Sequence, residues 1–174
     1  MEMFSSILLL IFAYIFLFSA TSKMKDYKSH IELVTNYKIF PVIFSKYLVN
    51  LFLLIELLAS LMIILRVFTN YSVMALSILT VIYSIAIIIN LARGRKDLSC
   101  GCGGVLGDHY ISYRLVIRNL IIIIGLFSSI ILPKISLLFL EYINLNILII
   151  AGFIFYLLLR ETILLKSKTK ELLS

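Results

Sequence analysis

Residues 43–66 read "IFSKYLVNLFLLIELLASLMIILR", twenty-four positions with charge only at Lys46, Glu56 and Arg66. A helix rises 1.5 Å per residue, so about 20 predominantly apolar residues cross the hydrocarbon of a bilayer. This stretch is long enough to do so. The next apolar run, residues 71–92, "YSVMALSILTVIYSIAIIINLA", carries no charge at all. Three further runs of the same kind lie at about residues 3–22, 115–133 and 143–164. Of the 174 residues, 62% are hydrophobic, and the mean hydropathy is +1.11. A water-soluble domain of this length would be closer to half apolar. In lipid, each spanning segment must satisfy its own backbone hydrogen bonds, which favours helices. The expected fold is therefore all-α: a multi-pass transmembrane helix bundle of about five spans, with a four-helix core. Residues 1–174 read as one integral membrane domain, without repeats or low-complexity segments. The amino-terminal run lacks a basic leader and is long for a signal peptide, so a retained helix is expected.

The formal net charge of +7 does not point to nucleic acid. The basic residues stand beside apolar spans, as orientation signals do, and no basic run is interleaved with aromatics. With five spans, residues 23–46, residues 93–118 and the tail from Arg160 share one side and hold fourteen of the sixteen Lys and Arg residues. The positive-inside rule then places the amino terminus outside, with the 93–118 segment and the tail in the cytoplasm. Lys166, Lys168 and Lys170 of the tail are expected to lie against anionic lipid headgroups of the cell membrane.

Several polar residues interrupt this pattern. Residues 24–40 mix charge with apolar positions, and Ile31, Leu33 and Val34 are expected on one face of a short interfacial helix ended before Pro41. Ser112 is the expected cap of the fourth span. Glu56 stands near the middle of the second span, and Arg118 about one turn inside the fourth. Ionisable groups at membrane depth are functional candidates whose partner should be named. The expected pair is Glu56 with Arg118, anchoring the loop above it and relaying a proton during thiol oxidation. Asn119 and Asn90 are candidates for hydrogen bonds between helices. The ten tyrosines are read as belts near helix ends, without chemistry.

The polar loop at 93–114, between the third and fourth spans, contains "KDLSCGCGGVLGDHY" over residues 96–110, with both cysteines of the chain, Cys100 and Cys102. A disulfide needs Cα atoms about 4.4–6.8 Å apart, so a C-x-C bridge requires a turn, which Gly101 permits. A small strained ring is the oxidising, exchangeable kind of disulfide. Arg93, Arg95, Lys96 and Arg114 are close in sequence and favour the nucleophilic thiolate. Cys100, Cys102 and His109 also form a candidate metal set. Two thiolates suffice for Cu(I), whereas zinc lacks a fourth ligand and the usual paired spacing; redox chemistry is expected over a metal, and no metal is assigned. His109 is otherwise a candidate proton acceptor for a thiol, or a solvated loop residue.

"RGRKDLSCGCGGVLGDHYISYRLVIRNL", residues 93–120, resembles the signature region of the MauE/DoxX-like redox-associated membrane proteins, the family of the methylamine-utilisation protein MauE. The resemblance rests on Arg93-Gly94, Cys100-Gly101-Cys102, Ile111-Ser112-Tyr113 and Arg118-Asn119-Leu120. It extends to "FLFSATSKMKDYKSHIELVTNYKIFP", residues 16–41, with an S-x-x-K-x-x-D step at Ser19 or Ser22, Lys23, Lys25 and Asp26, and to "LIELLAS" around Glu56. Gly103 stands where the family usually has a phenylalanine after C-G-C. The resemblance implies a membrane protein supporting thiol–disulfide chemistry alongside thioredoxin-like proteins. It also implies assistance to disulfide formation in a client, as thought for the methylamine-dehydrogenase relative.

The expected function is thiol–disulfide oxidoreduction, with Cys100 and Cys102 exchanging electrons with a thioredoxin-like or disulfide-bearing client protein. Gly101, Arg118, Glu56, Asn119 and His109 are supporting residues. No cofactor motif is legible; a quinone is the carrier left open if electrons enter the membrane. The alternatives are a structural or assembly subunit of a membrane complex, and a metal or small-molecule exporter. Disulfides persist outside the cytosol, whereas the charge distribution puts the loop inside. A pair reduced in the cytoplasm that passes electrons outward would reconcile the two, and so would a different span count.

Overall fold

The computed structural model describes residues 2–39, 41–95, 97–99, 110–131 and 139–172. They form six helices: α1 (Glu2–Lys25), α2 (Tyr27–Asn36), α3 (Val42–Ile64), α4 (Thr69–Ala92), α5 (Tyr113–Ile131) and α6 (Phe139–Leu172). Five contain apolar segments long enough to span a bilayer: Ser5–Lys25, Ile43–Ile64, Thr69–Ala92, Tyr113–Ile131 and Leu140–Ile163. These match the expected spans to within a few residues, and the chain is an all-α multi-pass membrane protein. The sixth helix, α2, is the short amphipathic segment between the first two spans. Pro41 stands immediately before α3 and accepts the Phe44 N–H at 2.9 Å. Its fixed φ suits the start of a helix and cannot continue the preceding one.

The chain forms two compact units, residues Met1–Ile135 and Ser136–Ser174. In the first, α1 packs against α3 and α5, and α4 packs against the same two, so four spans close into a ring. The short α2 lies against α3 and α1. The ring's interior is filled by Leu9, Phe12, Ala13 and Phe16 of α1, Ala59 and Ile63 of α3, Val73 and Leu76 of α4, and Ile122 and Leu126 of α5. Outward-facing Ile117, Leu120, Ile121, Ile124 and Phe127 of α5 are more than two-fifths exposed. Apolar side chains in that number belong against lipid tails.

Small and hydroxylated residues let the helices approach closely. An added Cβ on Gly125 of α5 would stand 2.5 Å from the Phe12 ring of α1, so glycine there makes room for the ring. The Ser5 hydroxyl donates across the same interface to the Ser129 carbonyl at 3.2 Å. Along α4, the hydroxyls of Ser72, Ser77, Thr80 and Ser84 donate to carbonyls four residues back. That pattern satisfies each hydroxyl without water.

The second unit is α6, 34 residues long and therefore about 51 Å from end to end. Glu141 occupies its first turn, where a carboxylate meets the positive end of the helix dipole. The apolar span ends at Ile163, and the helix continues through Lys166, Lys168 and Lys170.

Candidate functional site at the loop base and the polar layer beneath it

The third span ends in a defined way. Gly94 has φ +74, its N–H donates to Leu91 at 3.0 Å, and the Arg95 N–H donates to Asn90 at 3.1 Å. This pair of bonds is the Schellman motif, in which a left-handed glycine satisfies the last carbonyls of a helix. The Arg95 guanidinium lies 3.4 Å from the Asn90 Oδ1. Asn90 itself donates to the Ala86 carbonyl of its own helix at 3.0 Å. It therefore braces the helix end from within.

Beyond the cap, Ser99 and Tyr110 form an isolated antiparallel bridge, and the Ile111 N–H donates to the Leu98 carbonyl at 2.9 Å. The chain is thus pinned together on either side of residues 100–109. Cys100, Gly101, Cys102 and His109 lie outside the described residues. Ser112 stands just before α5, and its carbonyl, rather than its hydroxyl, accepts the Leu115 N–H at 3.0 Å.

The end of α2 clamps this base. The Tyr37 hydroxyl donates to the Ser99 carbonyl at 3.0 Å, and Arg93 Nη1 donates to the Lys38 carbonyl at 3.2 Å. The Tyr37 ring is buried with Ile87 and Leu91 of α4 and with Ile111 and Leu115, while Leu33, Ile39 and Leu98 pack against them. Burial pushes the Tyr37 phenol up to about 12, so it remains a donor through the physiological range. The face of α2 expected to carry Ile31, Leu33 and Val34 splits its contacts. Ile31 and Val34 pack on Ala20, Val49 and Leu53, and Leu33 packs at the loop base. On the same helix, burial and then the Lys23 charge push the imidazole of His30 down to about 4.

Within the bundle lies a polar layer. Lys23 Nζ and Glu56 Oε2 are 2.7 Å apart, with their side chains 5% and 1% exposed. The Lys23 ammonium also sits 4.8 Å from the centre of the Tyr83 ring, and Tyr83 lines the same cavity as Glu56. A short charge-assisted bond and a cation–π contact together offset the desolvation of both ions. Around them is a cavity of about 40 Å³, lined also by Ser19, Thr80, Arg118 and Asn119. It has room for on the order of two or three waters. Asn119 donates to the Ser84 hydroxyl at 3.2 Å, joining α5 to α4 as expected.

Glu56 and Arg118 are the pair expected from the sequence. Glu56 is instead held in an ion pair with Lys23, and Arg118 lines the same cavity from α5. The reason is the stagger of the helices. Glu56 is fourteen residues into α3, about 21 Å along its axis, whereas Lys23 is two residues from the end of α1. The Nζ of Lys23 reaches Glu56 at that level without crossing the bundle. Lys23 looks like one of a basic cluster flanking a span, but it is the member turned inward. Its spacing of four from Ser19 places both on one face of α1, and this is the signal that finds it. Tyr83 and Tyr37 carry no comparable signal, because nothing local distinguishes them from the other tyrosines.

A family model described as "Methylamine utilisation protein MauE" matches residues 1–132. The chain belongs to the MauE family. The match covers α1 to α5 and the loop, and stops before α6. A curated relative, the methylamine utilization protein MauE of Paracoccus denitrificans, is 24% identical over 110 residues, 63% of this chain. The aligned part spans 59% of that relative's length. No solved structure matches the chain. In this MauE-family membrane protein, the chain on either side of residues 100–109 is held by α2, α4 and α5, and a buried ion pair joins α1 to α3.

Proposed function

We propose that this MauE-family protein carries out thiol–disulfide exchange through Cys100 and Cys102, with a thioredoxin-like or disulfide-bearing client as partner. What supports the reading is that the chain's only two cysteines follow directly on a backbone pinned at Leu98 and Ser99 and at Tyr110 and Ile111. An exchangeable C-G-C pair needs such a base, because its ring strain must be borne by fixed neighbours.

In the oxidising direction for this chain, one cysteine loses its proton and attacks a client disulfide. A new S–S bond forms, and one client sulfur leaves as thiolate. The second cysteine then attacks the mixed disulfide, closing the Cys100–Cys102 bond and releasing the other client thiolate. Two electrons pass to the client, and the protons given up by the cysteines balance those taken up by its thiolates. Run backwards, the same steps oxidise a client. The family's name attaches it to methylamine utilisation, so a disulfide-bearing protein of such a system is the first client to test.

The Lys23–Glu56 pair is assigned an anchoring role under the loop. Arg118 and Asn119 tie the start of α5 to that layer, and His109 is the candidate proton acceptor. Positive charge around residues 93–118 supports a cytoplasmic loop.

The test is trapping with single Cys100→Ser and Cys102→Ser variants. One of the two should accumulate a client adduct that reducing agent dissolves, while both keep the thermal stability of the parent. If neither forms an adduct and both lose stability, the alternative holds: a disulfide that only fixes the loop of an assembly subunit.

A further inference from the structure

The cavity among α1, α3, α4 and α5 has more positive than negative charge on its walls. Among the described residues, the charged groups lining it are Lys23, Arg118 and Glu56. The single carboxylate is engaged by Lys23 at 2.7 Å. Arg118 brings a second cation to the same space of about 40 Å³, whatever else its guanidinium touches. The rest of the polar wall is neutral. Thr80 spends its proton on the Leu76 carbonyl at 2.7 Å, and Asn119 donates to the Ser84 hydroxyl at 3.2 Å. Like charges that share a space of low dielectric repel each other far more than they do in water. A group that offsets the surplus therefore stabilises the folded bundle.

We propose that this cavity binds one small monovalent inorganic anion of chloride size, with the Lys23 ammonium and the Arg118 guanidinium as its countercharges. An ammonium carries three N–H groups and a guanidinium five. The bond to Glu56 does not exhaust the first, and contacts elsewhere do not exhaust the second. One such anion neutralises the surplus and screens the two cations from each other. Room for two or three waters admits a monatomic anion and excludes a lipid phosphate or a quinone ring. Lys23 is two residues from the end of α1 and Arg118 five residues into α5, each within about 8 Å of the loop-side end of its helix. Phe16 and Ile122 also line the cavity and belong to the apolar core. The polar space thus ends against packed side chains, which suits a binding site and not a passage. The proposal is independent of the exchange reading above.

Two measurements on the full-length protein in a neutral detergent test this. Equilibrium dialysis with radiolabelled chloride should show one saturable site per chain. Bromide should compete for it, and gluconate, too large for the cavity, should not. The thermal unfolding temperature, with chloride replacing gluconate at constant ionic strength, should rise and then level off, because a ligand of the folded state stabilises it by mass action. Arg118→Gln should weaken chloride binding by roughly ten- to a hundredfold, the range for a hydrogen bond to a charged group. Lys25→Gln removes an exposed cation from the same end of α1 and should bind chloride like the parent. The absence of saturable chloride binding in the parent would overturn the proposal. Equal weakening in the two variants would also overturn it, by marking general screening, as would undiminished binding in Arg118→Gln. Should Arg118→Gln fail to fold, the dialysis of the parent decides.

Discussion

A lysine and a glutamate 2.7 Å apart inside an apolar bundle are each costly to remove from water. Breaking such a pair by truncating one partner leaves the other charge stranded, at a cost of about 3–5 kcal/mol. Lys23→Met and Glu56→Leu, each alone, should therefore lower the thermal unfolding temperature in detergent sharply. The double substitution should recover most of the loss, because replacing both ions with apolar groups is often near neutral. Equal losses in the double variant would show that the two do not act as a pair. Glu56→Gln adds a finer reading, since it keeps the shape and removes the charge. If folding and thiol exchange both survive it, no proton relay passes through this carboxylate.

Among the elements, α1 and α5 meet through Phe12 and Gly125. A methyl group there has no room without moving the ring, so Gly125→Ala should destabilise the bundle by about 1–3 kcal/mol, as overpacking does. Phe12→Leu in the same chain should return part of that stability, measured by thermal unfolding. The short α2 supplies a pH dependence. The His30 imidazole, at about 4 in the folded protein against an ordinary 6.5, is protonated first in the unfolded chain. Its contribution to stability is complete above about pH 6.5, falls as the pH drops toward 4, and then levels off. The unfolding temperature should follow that course, and His30→Asn should flatten it. A slope unchanged by the substitution would assign the acid sensitivity to other groups.

For the whole molecule, the distribution of Lys and Arg predicts which side of the membrane each loop occupies. Membrane-impermeant maleimide should fail to label Cys100 and Cys102 in intact cells, before and after reduction, while a permeant reagent should label them. Labelling by the impermeant reagent would reverse the orientation and favour an oxidative-folding role. Much of this protein is legible along the chain. Five runs such as residues 43–66 are too apolar and too long for water, and a backbone in lipid has little choice but the helix. The Arg93-Gly94 pair likewise marks the end of α4, since the left-handed angle of a Schellman cap favours glycine. Local patterns of this kind act within a few residues, and composition and spacing are enough to read them. The partner of Glu56 and the reach of Tyr37 to Ser99 are different in kind. Each depends on how far one helix is staggered against another, and that stagger is set by side-chain packing between segments 33 or 62 residues apart. No periodicity within either segment encodes it.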